Sequence, residues 1–593
     1  MSRPGASQPS RGRKRSKTAA PDPAAPRTNL APEPNWVRGA SLAIAALVLV
    51  GLFSTEAADS DFWWHLKTGQ YIIQHHSLPV PDPFSFSTAY NPPSNPGDER
   101  VQHFNLTHEW LAQALLYCVF WAAGFPGIIL ARAALLAGFC GFAGLLAARR
   151  SKNFYLGLGA ALATASVAIN FTADRPALFS FFMTGLFLVL LDSGQFLWAL
   201  PALSLLWANC HGGFFLGWVV LAAYCAASLL PASGLTRRPM LWISAAISIA
   251  VCGLNPNGFE VVATLLRYRR SAMTANLIEW HPPYLWGPPY AFDILLYSSA
   301  AVLIYSWRRV RWQDWALFAA FTAASLAAFR NIPLIGFLAP VLIASYFPFR
   351  LRMPRFTAWL APGALGCALA FGIASGSFFQ LRAAEWKFPA AAAGYLLQNH
   401  VPGPLFNTWE DGGYLIWRLW PEQRVFIDGR ALSEASNRDY REILYNLGSD
   451  VGHVTGPRAE LLRRYNIQSV VTNTFEYVTG AMYPLALALA DSPDWQLDYD
   501  DTHSIVFRRA TQPDAAEIPA KLRRVLDHMD AECADYIQHD PRLPLCARTM
   551  GRYWAEGAHW DRAYRMLSLY LDHKRTPDPE AERAFQRLVQ AGH

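Results

Sequence analysis

Asp59-Ser60-Asp61-Phe62-Trp63-Trp64-His65-Leu66-Lys67-Thr68-Gly69 follows directly on the first strongly apolar run of the chain, 37–54, and leads into Pro81-Asp82-Pro83-Phe84-Ser85-Phe86. Two carboxylates, a histidine and a tryptophan pair thus stand where a hydrophobic segment ends. A charged side chain inside hydrocarbon costs roughly 2.5–3.5 kcal/mol on insertion scales, so acids placed just past a membrane exit invite a functional reading. The plain alternative is a polar loop held at the interface by its tryptophans.

The composition around this stretch is that of a membrane protein. Of 593 residues, 52% are hydrophobic, 14% aromatic and only 16% charged, which excludes an ordinary water-soluble globule. Apolar runs near the length needed to cross a roughly 30 Å core recur at 37–54, 125–148, 153–171, 177–193, 195–210, 213–232, 239–254, 291–306, 313–329, 332–348 and 357–376, so about eleven spans are expected. Residues 1–36 carry Arg3, Arg11, Arg13, Lys14, Arg15, Lys17 and Arg27 against Asp22 and Glu33. This reads as a disordered basic tail that is either a cytoplasmic retention signal or, less in keeping with the apolar run that follows, a nucleic-acid contact. With the N-terminus cytoplasmic, the basic turns at Arg149-Arg150, Arg237-Arg238, Arg308 to Arg311 and Arg350 to Arg355 all fall on that side, provided that 108–123 lies along the surface without crossing. Arg267, Arg269 and Arg270 oppose the scheme and call for an anionic partner or an interfacial helix.

The same topology gathers the unusual polar residues on the outer face, where the long loop 55–124 meets His108-Glu109, Asp174-Arg175-Pro176, His211, Glu279 and Arg330. A helix expected over 61–76 puts Asp61 and His65 on one face, so the pair is a candidate ligand set for Mg or Mn, with His108 and Glu109 as further donors. Asp59 and Asp61 are the candidate catalytic acids. Arg175 either binds a lipid phosphate or pairs with Asp174 at a helix start, and Arg330 is a second phosphate candidate. His211 is either part of the site or a satisfied helix-end histidine.

Beyond 378 the pattern changes. Residues 379–510 read as a small external α/β domain, with helices at 390–397, 437–448 and 457–465 and buried strands at 424–427, 468–472 and 504–507. Trp409 to Tyr414 and Phe426 to Arg430 place Asp411 and Asp428 at glycine-rich turns, either structural or ligand-facing. Residues 511–593 read as helical, ending in a hairpin similar to one tetratricopeptide unit that offers a surface to a protein partner. Cys533 and Cys546, alone among the eight cysteines in sharing a polar region, are positioned to form a disulfide or to remain free.

Asp59-Ser60-Asp61-Phe62-Trp63-Trp64-His65, with Thr68-Gly69 and Asp82-Pro83-Phe84, resembles the first external loop of the GT-C membrane glycosyltransferases, closest to bacterial members of the Rgt and PMT type. The second half is distantly similar to the oligosaccharyltransferase catalytic subunit, with Trp409-Glu410-Asp411-Gly412-Gly413-Tyr414 where that enzyme carries its tandem-tryptophan motif. This stretch lacks that motif's tandem tryptophan and its Tyr-Gly ending. The resemblance implies a bacterial inner-membrane, multi-pass protein of GT-C-like fold that transfers a sugar from a polyprenyl-phosphate-linked donor to an external glycan or protein acceptor. Asp59 and Asp61 take the acidic-motif positions. Two rival expectations are a non-catalytic envelope-assembly scaffold and a lipid-linked glycan transporter or polymerase.

Overall fold

Each of the eleven apolar runs contains a helix, because a segment with almost no side chain able to compete for its backbone bonds satisfies them internally. The structure, a computed structural model, describes residues 35–93, 96–230, 239–268, 277–347, 356–447 and 450–590. The basic tail, residues 237 and 238, 350 to 355, and Arg269 and Arg270 lie outside the described residues, as does the side chain of Arg267. The chain is mostly helical, and Asn35–Phe53, Gly97–Ser151, Phe154–Phe171 and Phe329–Tyr346 are long and apolar enough to cross a membrane. Six shorter apolar helices accompany them.

The expected surface segment 108–123 is the first part of the helix Trp110–Ser151, which breaks at Gly124. With φ 60° and ψ −152°, that residue occupies a region open only to glycine, and Pro126 restarts the helix two residues on. Loop 55–124 is itself largely helical: Phe62–His75 follows Asp61 directly, and Pro96–Thr107 leads to Glu109.

The bundle has two polar ends joined by the helix Ala177–Ser193, whose 17 residues span about 25 Å at 1.5 Å per residue. At one end Arg150 lies 2.6 Å from Asp192 and 3.2 Å from Asp314. Arg311 closes the ring, 2.8 Å from Asp192 and 3.0 Å from Asp314, and the Tyr346 hydroxyl donates to Asp314. At the other end stand Asp59, Asp61, Arg175 and Arg330. Between them the core is apolar, with Phe139, Phe187, Trp207 and Phe337 fully buried.

Beyond residue 378 a four-stranded sheet forms. Strands β1 (Leu405–Asn407) and β2 (Ser469–Thr472) pair in parallel, while β3 (Phe475–Glu476) and β4 (Ala481–Met482) make a separate ribbon. β5 (Trp495–Asp500) and β6 (Ile505–Arg509) complete the sheet in the order β1-β2-β6-β5. Three expectations are corrected here. Val425, Phe426 and Ile427 are buried and Arg424 is exposed, but the run forms only an isolated bridge between Ser85 and Val425, so Asp428 does not end a sheet strand. A short apolar run is buried with or without a ladder, and periodicity cannot separate the two cases. Trp409–Leu419 is a helix, not a glycine-rich turn.

The third correction concerns the boundary near 510. Four helices follow it, Ile518–His539, Leu545–Glu556, Trp560–His573 and Pro579–Gln590. Their residues Met529, Ile537, Met550, Trp554 and Leu567 share one continuous core with Phe406, Val470 and Phe507 of the sheet. They are part of the sheet-bearing unit, and the expected lone hairpin is two of the four. Cys533 and Cys546 are joined by a disulfide that ties the first of these helices to the second.

Candidate functional site

The helix Phe62–His75 begins immediately after Asp61, and the turn before it is set by the Asp61 backbone N–H donating to Asp59 Oδ1 at 2.8 Å. That turn aims both carboxylates at Arg175, on the approach to the next long helix. Arg175 grips Asp59 with two parallel bonds, Nε to Oδ2 at 2.6 Å and Nη2 to Oδ1 at 2.9 Å. Its Nη1 lies 3.0 Å from Asp61 Oδ2 and 3.7 Å from Glu279 Oε2. Arg330 extends the row, 3.2 Å from Glu279 Oε1, with its guanidinium 4.7 Å above the Trp280 ring.

The two aspartates are therefore unequal. Asp59 has a bidentate partner and a side chain only 6% exposed. Asp61 shares one guanidinium nitrogen, accepts from Trp64 Nε1 at 3.0 Å, and is 17% exposed. Burial raises the carboxyl pKa of both, and Arg175 opposes it. For Asp59 the arginine prevails and the pKa falls below the usual carboxylate range. For Asp61 burial prevails, helped by the Asp59 charge, and the pKa rises to about 6. A carboxylate near that value is ionised at neutral pH yet basic enough to take a proton.

The sheet-bearing unit covers this turn at backbone contact. A Cβ on Gly429 would fall 1.9 Å from Asp61 Oδ1, and one on Gly413 would fall 2.4 Å from the Ser60 carbonyl oxygen. Only glycine allows these approaches. The unit is held in place by paired backbone bonds, Phe86 N–H to the Val425 carbonyl at 3.0 Å and Val425 N–H to the Phe84 carbonyl at 3.1 Å. Arg430 reinforces them, bonding Asp82 at 2.6 Å and Asp428 at 2.7 Å.

Behind Trp64 lies a second, closed cluster centred on Glu109. His108 Nε2 is 3.2 Å from it, and His65 Nδ1 and His211 Nε2 are each 3.6 Å away. His211 Nδ1 accepts from the Gly213 N–H at 3.1 Å, which places its proton on Nε2, toward Glu109. His108 Nδ1 donates to the Phe104 carbonyl at 2.7 Å, and its Nε2 faces the Glu109 carboxyl at 3.2 Å. Burial pushes His65 down to about 4 and His211 down to about 3, outweighing the attraction of Glu109, and both are neutral at pH 7. Burial alone would raise Glu109, but the attraction and hydrogen bond of His108 outweigh it and hold the carboxyl below the usual range.

Of the residues expected at the site, the structure brings Asp59, Asp61, Arg175, Glu279 and Arg330 into one row and His65, His108, Glu109 and His211 into the cluster behind it. Asp174, Asp411 and Asp428 stand apart as buried structural acids. Asp174 is bonded by Arg132 at 2.6 Å, Asp411 by Thr408 at 2.8 Å and His503 at 3.3 Å, and Asp428 by Arg430. Asp411 and Asp428 have both carboxylate oxygens engaged within the fold, and Asp174 Oδ1 is buried without a hydrogen-bond partner, so none lines the open row. Asp61 and His65, expected as one ligand pair, diverge: the carboxylate meets Arg175 and the imidazole meets Glu109. Among the described residues no three His, Cys, Asp or Glu side chains converge as a metal site.

Sequence reasoning missed Arg132, which also bonds the Phe53 and Thr172 carbonyls at 3.2 and 3.0 Å and so fastens the exit of the first helix to the Asp174 turn. The signal was present, since an arginine inside an apolar run calls for a buried partner. Gly413 and Gly429 were also missed as contact points, and nothing local marks them. No protein-family model matches this chain, and no curated protein matches it.

Proposed function

We propose that this protein is a GT-C-type membrane glycosyltransferase that moves a sugar from a polyprenyl-phosphate-linked donor to an acceptor hydroxyl at the outer face of a bacterial inner membrane. The observation that carries the reading is Asp61, a solvent-reached carboxylate with a pKa near 6, placed beside Arg175, with Arg330 further along the row through Glu279, at the end of an apolar bundle and under a folded cover. Asp61 takes the proton of the acceptor hydroxyl as that oxygen bonds to the anomeric carbon. The bond from that carbon to the phosphate oxygen breaks, and the phosphate leaves with its electron pair, stabilised by Arg175 and Arg330. Asp59 serves as the positioning residue, since both its oxygens are spent on Arg175.

In this reading the apolar helices make eleven crossings, the N-terminus is cytoplasmic, and the sheet-bearing unit is an external α/β domain. The Cys533–Cys546 disulfide suits an oxidising compartment and supports that placement. The Arg150 end of the bundle then faces the cytoplasm, in keeping with the bias of basic residues toward that side. No step is routed through a metal ion.

The test is glycan transfer in membranes bearing the double variant Asp59→Asn/Asp61→Asn. Loss of transfer with normal protein levels supports the reading. Undiminished transfer removes the two aspartates from any catalytic role.

A further inference from the structure

The linker that follows the last apolar helix, Phe356–Ala374, runs alongside the exit of the first. Gln380 N–H donates to the Ser54 carbonyl at 2.8 Å, Ala57 N–H to the Arg382 carbonyl at 3.1 Å and Ala384 N–H to the Ala57 carbonyl at 3.0 Å. A turn at Glu385–Lys387 then brings the Lys387 ammonium to the Ala58 carbonyl at 3.1 Å, one residue before the carboxylate that Arg175 grips. Trp386, in the same turn, lies flat on His539 with ring centroids 4.5 Å apart, so the sheet-bearing unit holds the turn from outside.

What this ammonium lacks is a carboxylate. A lysine has three N–H groups to give, and among the described residues Lys387 uses one, on Ala58, and makes no ion pair. The carboxylates that act on it through space are Asp59 and Asp540, and each is spent on an arginine: Asp59 on Arg175, and Asp540 on Arg542 at 2.7 and 2.9 Å. Burial pushes the Lys387 pKa down, and the Asp59 charge offsets only part of that. The arginines of the row differ, since Arg175 meets Asp59, Asp61 and Glu279, and Arg330 meets Glu279. Arg175 is also among the charges that act on Lys387, so the ammonium belongs to the same charge cluster. It is half-buried, within reach of an ion from solvent, and two of its donors are free. A partly desolvated cation with unspent donors favours an anionic ligand.

We infer that Lys387 is a third phosphate-binding residue of the Asp61 row, and that it serves the phosphate best after the sugar has left. In the transfer proposed above, the bond from the anomeric carbon to the phosphate oxygen breaks and its electron pair stays on that oxygen, while the acceptor proton goes to Asp61. A phosphodiester with one negative charge thereby becomes a monoester with two. Arginines already matched by carboxylates serve the first charge, and an ammonium without a partner is where the second is best placed. The catalytic half of this inference rests on the transfer reading. The preference for a dianionic isoprenyl phosphate does not.

The experiment titrates the full-length protein in nanodiscs with geranyl phosphate and with its methyl ester, read by calorimetry at about pH 8, where the monoester carries close to two negative charges. Wild type binds the monoester about tenfold more tightly than the ester. Lys387→Gln, which keeps an amide donor for the Ala58 carbonyl but no charge, binds the two alike, and Lys387→Arg keeps the preference. Thermal unfolding checks the fold of both variants. In the transfer assay Lys387→Gln lowers kcat about tenfold and leaves the donor KM within about threefold, the mark of a charge used at the transition state. A wild type that binds neither ligand, or both equally, overturns the inference, as does a preference that survives Lys387→Gln or that Lys387→Arg abolishes. An unchanged kcat in Lys387→Gln overturns its part in the transfer. If the preference follows Lys387 while the Asp59→Asn/Asp61→Asn variant transfers undiminished, the phosphate site stands and the transferase reading falls.

Discussion

At the Arg150 end of the bundle two arginines face two aspartates, every pair is within 3.2 Å, and the Asp314 side chain has no exposure to solvent. At the Asp61 end two arginines face three carboxylates, and Asp61, Arg330, Arg175 and Glu279 are between 17% and 39% exposed. The first arrangement is balanced in charge, its two carboxylates are no more than 12% exposed although Arg311 is 32% exposed, and it fastens helix ends to one another. The second holds an excess of acid within reach of water, with arginine donors that a phosphate can recruit. The same residue types, at the two ends of one helix, make a clamp and a candidate site, and what separates them is stoichiometry and access.

The comparison breaks first at its strongest point. Replacing Asp61 by Asn removes the proposed general base, a change worth about 10² to 10⁴ in rate, so transfer per folded molecule is expected to fall by at least about a hundredfold in a proteoliposome assay. Ionising a carboxyl whose pKa is raised by the fold works against folding once the pH exceeds the unfolded value, so this variant melts no lower than wild type at pH 7.5. Asp314→Ala does the reverse. Leaving Arg150 buried without that partner costs about 3 kcal/mol, read as a lowered unfolding midpoint in detergent, while the protein that remains folded transfers normally. Equal loss of transfer in both variants would erase the distinction between the two ends.

Two smaller effects sharpen it. With the Asp61 carboxyl near 6, the basic form is lost as pH falls through that value, so kcat/KM drops about tenfold for each unit below it and levels off above it. A profile flat from pH 5 to 8 would assign the proton transfer elsewhere. Arg330→Gln removes one charged contact with the donor phosphate and raises KM for the donor about tenfold, leaving thermal stability within about 0.5 kcal/mol of wild type. A variant that lost stability without changing KM would make Arg330 a structural partner of Glu279 alone.

Much of this contrast is legible in the sequence, and what is not has physical reasons. Apolar runs announce the helices, and the alternation of basic and acidic turns brings Asp61, Arg175, Glu279 and Arg330 to a common end before any coordinates are known. Pairing is not legible. Asp174-Arg175 reads as a neighbouring pair, yet Asp174 turns inward to Arg132 and Arg175 turns to the first loop. Adjacent residues at a helix start point in different directions, and their partners are set by tertiary packing. The 424–427 run is apolar enough to be a strand and folds as a covered, irregular segment, because burial alone does not require a ladder. The shared core of sheet and C-terminal helices is likewise invisible, since a charged, helical stretch carries no mark of what its buried face will meet. Gly429, against which Asp61 rests, is an ordinary glycine until the first loop is brought to it.

The most direct test of the account is a structure by electron cryomicroscopy of the wild type in nanodiscs containing a polyprenyl phosphate. The account predicts a phosphate within hydrogen-bonding distance of Arg175 and Arg330, with Asp61 facing it. A phosphate seated at the Arg150 end, or an Asp61 row left unchanged with the lipid bound elsewhere, would contradict it.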